Sequence, residues 1–190
     1  GFAELEARAV IDEHQRSAAG GLVTGGVVSL VDSVGGMVCG MAVRPEWIVT
    51  NNLMTRMARL RHTGPLYLHA RILRRGRSSV VAAVDVADEG DGGAPVAHAM
   101  MTCAVLAPTR PAPHMERPVR LPLPPLDPRV GPPDDYFGIE RDGPIVRLHP
   151  SLHHRNHWDI LHGGAIASLV DIAAAHVVSQ GQSVSQGHVV

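Results

Sequence analysis

The sequence predicts an α+β chain in which a long buried helix is followed by an antiparallel sheet, with the helical unit present twice. Three observations carry that prediction. The run from Ala165 to Val178 is apolar apart from Ser168, Asp171 and His176, as expected of a helix buried nearly all round. From Leu66 to Val86 apolar and polar residues alternate on either side of an Arg-Arg-Gly-Arg turn, the signature of paired strands. The tetrapeptide Ser29-Leu30-Val31-Asp32 returns as Ser168-Leu169-Val170-Asp171.

Taken in order, residues 3 to 18 read as a helix, with Leu5, Ala9, Val10 and Ile11 near one face and Glu, Arg and Asp elsewhere. Gly20-Gly21 ends it. Val27 to Met41 is a second, very apolar helical stretch containing Asp32. Its glycines, Gly35, Gly36 and Gly40, weaken helix propensity but permit close packing. Trp47 to Leu60 is β-prone. Leu66 to Leu73 sets Leu66, Leu68, Ala70 and Ile72 against Tyr67, His69 and Arg71, and Ser78 to Val86 carries Val80, Val81, Val84 and Val86. The turn Arg74-Arg75-Gly76-Arg77 joins these two segments as a hairpin. Asp88 to Gly93 is a further turn, and Val96 to Leu106 the next strand, which makes a sheet of at least four strands. Residues 108 to 133 hold ten of the fifteen prolines, a linker in extended form. Beyond it, Tyr136 to Leu148 suggests a hairpin around Asp142-Gly143, followed by a His-rich loop and the Ala165–Val178 helix.

The repeat extends past the tetrapeptide. Without a gap, Leu22 falls on Leu161, Gly25 on Gly164 and Val38 on Val177. The copies differ where the helix begins: Val23-Thr24 stands opposite His162-Gly163, and Ser17 opposite Asn156.

Composition narrows the function. A net charge of -1 and a pI near 6.9 give no electrostatic case for nucleic acid, and 3% aromatic residues leave little for base stacking. Cys39 and Cys103 are two isolated thiols and no disulfide framework, which favours a reducing cytoplasm. The first residues carry Glu4 and Glu6 and no secretory signal pattern. No run reads as long and apolar enough to cross a bilayer, so no membrane partner is expected.

An Asn (Asn156), six positions on a His-Gly-Gly (His162, Gly163, Gly164), and an Asp nine after that His in an apolar helix (Asp171) together resemble the PaaI-like hotdog-fold acyl-CoA thioesterases. The resemblance implies a long helix wrapped by an antiparallel sheet, hotdogs packed in pairs with sites shared across the pair, and a place in fatty acid metabolism. Two units in one chain resemble a tandem double hotdog: residues 1 to 107 the first, 108 to 133 the linker, 134 to 190 the second, which holds only the N-terminal part of a hotdog. Asp159 departs from the pattern, since the family often has Gly there, and the His-containing motif of the dehydratase branch is absent. The first unit is expected to lack a strand before its helix and the second the strands after it; either the chain is cut short, or regions are missing from it, or a partner supplies strands.

The chemistry is read from the helix start. The N–H groups of Gly163 and Gly164 can hold a tetrahedral oxyanion, because the first turn of a helix has unpaired donors and a positive dipole end; the alternative is that these glycines only allow tight helix–sheet packing. A carboxylate in an apolar helix, Asp32 or Asp171, can activate water or attack the thioester; equally, two Asp at one repeat position can share a structural role. Gly163 and Asp171 are separated by roughly 12 Å along the axis, at about 1.5 Å per residue, so one carbonyl cannot touch both. The expectation is a composite site of Asn156, His162, Gly163 and Gly164 from the second unit with Asp32 from the first, and a degenerate mirror site of Asp171 with Ser17, Val23 and Thr24. His162 is expected to orient the helix start or to hydrogen-bond nearby backbone, with a general-base role secondary. Arg74, Arg75, Gly76 and Arg77 either meet the phosphates of coenzyme A or form a solvated turn. His149, His153, His154, His157 and His162 lack zinc-site spacing, so no metal is expected, and no cofactor beyond the coenzyme A carried by the substrate. The functional reading is an acyl-CoA thioesterase, expected to be a homo-oligomer by its incomplete second sheet; the alternatives are a non-catalytic acyl-CoA or lipid-binding module and an oligomeric scaffold.

Overall fold

The computed structural model describes residues 3–11, 16, 20–108, 138–156 and 160–186. The chain falls into two compact units, Gly1–Ala112 and Pro113–Val190. Apart from residue 108, the proline-rich segment lies outside the described residues.

The first unit is one five-stranded antiparallel sheet with a helix against it. Strands β1 (Glu4–Ala9), β2 (Trp47–Met57), β3 (Leu66–Arg75), β4 (Ser79–Asp88) and β5 (Ala94–Leu106) are ordered β1-β3-β4-β5-β2, and helix α1 (Thr24–Val43) joins β1 to β2. β4 pairs with β5 from Ser79↔Ala104 to Asp88↔Ala94, and β3 with β4 through the predicted hairpin, closing at Arg75↔Val80. Alternation decides which residues face α1: Leu66, Leu68 and Ala70 on β3, Val80, Ala82, Val84 and Val86 on β4, and Ala99, Met101 and Cys103 on β5 are all buried. From α1 come Val27, Val31, Val34 and Val38, spaced four, three and four apart on one face. Each such valine contributes about 1.5–3 kcal/mol on burial. A Cβ at Gly35 would lie 2.2 Å from the Met101 sulfur, so this glycine lets helix and sheet touch. Gly36 has open space around it and no such role.

The N-terminal segment corrects the sequence reading. Residues 3 to 18 are not a helix: Glu4–Ala9 is strand β1, paired antiparallel with β3 from Glu4↔Arg71 to Ala9↔Leu66. The first unit therefore has the strand before its helix that it was expected to lack. Leu5, Ala7 and Ala9 alternate with Glu4, Glu6 and Arg8, and β3 offers an open edge whose hydrogen bonds outweigh the helical propensity of Glu, Leu and Ala.

In the second unit, β6 (Ile139–Asp142) and β7 (Ile145–Leu148) form a hairpin through Gly143, whose φ is 55°, and helix α2 (Gly163–Gln186) packs on β7. His176 Nε2 donates to the Gly143 carbonyl at 2.7 Å, tying helix to turn. Here the expectation of all-round burial fails: Ile166, Val170, Val177 and Val178 are 48%, 62%, 60% and 59% exposed. Among the described residues of this unit the sheet has two strands, too few to cover more than one side of a helix.

The two helix starts obey the repeat closely. Arg16 and Leu22 form an isolated antiparallel bridge before α1, and Arg155 and Leu161 form one before α2. These are equivalent positions, and the helices begin at the equivalent residues Thr24 and Gly163.

One exclusion from composition is corrected. Thr24–Val43 and Gly163–Gln180 are each long and apolar enough to cross a membrane, with mean hydropathies of 1.7 and 1.2. The glycines and the few polar residues within each run do not lower the average enough to disqualify it. In α1 more than half of that stretch is buried within the first unit, while little of the α2 stretch is covered.

Candidate active site

Asp32 lies on the α1 face that meets the sheet and is 6% exposed. A carboxylate there needs polar partners, and β2 provides one: the Thr50 hydroxyl donates to Asp32 Oδ1 at 2.9 Å. Thr50 sits at the shift in register where β2 leaves regular pairing with β5, opposite Cys103. Cys39 on α1 and Cys103 on β5, distant in sequence, meet as buried free thiols. A hydrogen bond to Cys103 and burial push the Cys39 thiol up, so it stays protonated.

The start of α1 has no polar cap: Val23 precedes it, and the Gly26 and Val27 N–H groups donate to the Val23 carbonyl. A histidine the sequence reading passed over secures it instead. His62, 1% exposed, accepts the Leu22 N–H on Nε2 at 2.8 Å. That bond assigns the proton of the neutral ring to Nδ1, which has no hydrogen-bond partner among the described residues. Burial lowers the His62 pKa, with Arg16 adding to the shift and Asp88 opposing it. Arg16 donates to the carbonyls of Gly20, His62 and Thr63. Asp88 accepts the N–H groups of Thr63, Gly64 and Gly90 at 2.8, 2.8 and 3.0 Å. Burial pushes its carboxyl up, and those backbone donors outweigh burial and hold it below the usual carboxylate range. No spacing rule flags His62, because Leu22 and the 60–64 loop are joined only by folding.

At α2 His162 bonds to nearby backbone as expected, but to the Gly164 N–H that was expected to hold the oxyanion. His162 Nδ1 accepts the Gly164 N–H at 2.9 Å, and the His162 carbonyl accepts from Ala165 and Ile166. His162 therefore caps the helix, and the Gly164 donor is engaged. The Gly163 N–H has no partner among the described residues. Asn156 closes the loop before the helix, its N–H donating to the Ile160 carbonyl at 2.8 Å and its Oδ1 accepting weakly from the Ile160 N–H at 3.4 Å. Asp171 is half-buried on α2. Ser17 and Asp159 lie outside the described residues, and Val23 and Thr24 flank the α1 start.

Arg74, Arg75 and Arg77 are exposed at the β3–β4 turn, where the Gly76 N–H donates to the Ser79 carbonyl at 2.8 Å. None of the three arginines has a carboxylate partner among the described residues. Arg71 leaves the cluster, since it pairs with Asp85. His149 pairs with Glu140 at 3.0 Å and His154 is buried against Ser151. His157 lies outside the described residues, among which no three metal-ligating groups converge.

No family profile and no curated protein sequence matches this chain. Solved structures do. A thioesterase from Haemophilus influenzae matches with a TM-score of 0.52 and 19% identity over 56% of this chain and 74% of its own. A conserved protein from Pseudomonas aeruginosa matches at 0.50 and 28%, over 54% and 81%. A mutant thioesterase from the same organism matches at 0.51 and 25%, over 56% and 76%. Two of these three neighbours are thioesterases by name. The antiparallel sheet with a helix packed against it that the chain forms in its first unit is consistent with the hotdog fold.

Proposed function

We propose that the chain is an acyl-CoA thioesterase of the PaaI-like type, with Asp32 as the carboxylate that drives hydrolysis. The observation that carries this reading is the buried Asp32 on the central helix of a hotdog unit, held by Thr50, in a chain 25% identical to a solved thioesterase. In the reaction, either Asp32 takes a proton from water as its oxygen bonds to the thioester carbon, or the carboxylate attacks that carbon and the resulting anhydride is hydrolysed. In both, the carbon–sulfur bond breaks and coenzyme A leaves as the thiolate, which is protonated by the Asp32 carboxyl in the first route and by a proton of the water that hydrolyses the anhydride in the second.

The axial distance along α2 keeps Asp171 from serving the Gly163 end of its own helix. Taken by itself, the start of α2 presents the Gly163 N–H as a donor able to hold an oxyanion, with Gly164, His162 and Asn156 shaping the turn around it. Arg74, Arg75 and Arg77 around Gly76 supply positive charge for the coenzyme A phosphates. Exposed Ile166, Val170, Val177 and Val178 on α2 support self-association, and two unpaired thiols accord with a cytoplasmic setting.

A second reading is binding without turnover, favoured by the His162 ring already occupying the Gly164 N–H. A panel of acyl-CoA substrates with a thiol-detecting dye separates them. Thiol release that disappears in Asp32→Asn establishes hydrolysis; ligand-induced thermal stabilisation without thiol release establishes the second reading.

A further inference from the structure

The sheet face turned away from α1 carries a row of side chains in register across all five strands. Glu6 on β1 pairs with His69 on β3, His69 with Asp85 on β4, Asp85 with His98 on β5, and His98 with Arg56 on β2. At the β2 end of this row the surface sinks into a recess of about 410 Å³, lined by Arg56, Asp85, Ala87, Pro95 and His98 among others. It forms where the β4–β5 register shifts after Val86, since an irregularity of that kind twists the strands locally. The volume lies within the range of small-ligand sites.

The charges in the recess are unequally satisfied. Asp85 is paired twice, accepting from Arg71 and from His98 Nδ1. Burial pushes its carboxyl up, but those partners hold it below the usual carboxylate range, so it stays ionised. His98 is thereby fixed through Nδ1, and its Nε2 has no partner among the described residues. Arg56 has no carboxylate partner among them either, whereas Arg8, Arg59, Arg71 and Arg147 each have one. With Arg71 and His98 both paired to Asp85, the wall keeps the Arg56 charge. The rest of the lining is largely apolar.

We propose that this recess binds a small organic acid, its carboxylate held by Arg56 beside the His98 ring and its apolar body lying over Pro95 and Ala87. One guanidinium suits a single negative charge better than a phosphate dianion. The site lies on the sheet face away from Asp32, so it is independent of the proposed hydrolysis.

Hexanoate, hexanol and inorganic phosphate titrated into the full chain test it, read by the NMR signals of the His98 ring and the Arg56 side chain. Hexanoate is expected to saturate and to move both sets of signals, at least tenfold more tightly than phosphate, while hexanol leaves them still. Arg56→Gln should weaken hexanoate at least tenfold with thioester turnover unchanged, and Asp32→Asn should leave hexanoate binding at His98 intact. Hexanol binding equal to hexanoate, phosphate binding more tightly, no saturation by hexanoate, or an Arg56→Gln protein that binds as before would each overturn the proposal.

Discussion

The Thr50 hydroxyl donates a 2.9 Å hydrogen bond to the Asp32 carboxylate, joining β2 to α1 at the one buried acid of the first-unit helix. A hydrogen bond to a charged group contributes about 1.5–3 kcal/mol. If Asp32 acts on the thioester, that bond aims it. Thr50→Val keeps the shape and removes the donor, and kcat is expected to fall roughly ten- to a hundredfold with KM little changed. Asp32→Asn should abolish turnover with the thermal midpoint preserved. A Thr50→Val enzyme with wild-type kcat would remove Thr50 from the mechanism. Single turnover in ¹⁸O-water, followed by mass analysis of the peptide containing Asp32, separates its two roles, because only attack by the carboxylate puts label into Asp32.

His162 caps α2 through Gly164. Loss of a cap costs about 1 kcal/mol. His162→Ala should lower helix stability by that amount, and His162→Asn, which retains an acceptor, should restore most of it. If His162 only shapes the turn, His162→Asn will also keep at least a third of thioester turnover. A collapse of kcat in a stable His162→Asn protein would assign the ring a direct part in the chemistry.

His62 and Asp88 make the α1 approach acid-sensitive in two steps. The folded state holds His62 neutral, with its pKa lowered by burial, whereas the unfolded chain takes up a proton below about pH 6.5. Its contribution is therefore complete above about pH 6.5 and is lost as pH falls below it. Asp88, held below the ordinary carboxylate range, contributes fully above about pH 4 and loses that contribution as pH falls further. Urea midpoints measured between pH 7.5 and 5 should decline in the wild type and much less in His62→Phe. The same substitution strips the Leu22 N–H of its acceptor, costing about 1–3 kcal/mol at pH 7.5. Equal slopes for both proteins would show that His62 does not drive the first step.

Gly35 and Met101 hold α1 against the sheet. A Cβ at position 35 would come 2.2 Å from the Met101 sulfur and 3.0 Å from a Val84 methyl, and Met101 is fully buried. Gly35→Ala should cost about 1–3 kcal/mol by overpacking. Met101→Ala leaves a cavity at about 2–5 kcal/mol. Because one change makes room for the other, denaturation of the double variant should show a smaller loss than the sum of the two. Strict additivity would mean that the helix moves instead.

Arg74, Arg75 and Arg77 provide the test of the phosphate reading. Converting all three to Gln should raise KM for an acyl-CoA several-fold, leave kcat within twofold, and flatten the dependence of KM on salt. Unchanged KM and salt dependence would leave the hairpin as a solvated turn.

The sequence by itself determined what depends on short-range periodicity. The apolar run of α1, the alternation of Leu66, Leu68 and Ala70, the turns at Gly76 and Asp142-Gly143, and the repeat that gives α1 and α2 equivalent starts could all be read from neighbouring residues. Tertiary structure decided the rest. Glu4–Ala9 suits either a helix or a strand until β3 offers it an edge. Thr50 with Asp32, Cys39 with Cys103, and His62 with Leu22 meet only because folding closes long loops. Whether Val170 and Val177 are core or surface depends on what covers α2, and their apolarity is the same in either case. Local propensity is carried by the chain, whereas burial and partnership belong to pairs of distant segments, so the elements were legible and most contacts at the site were not.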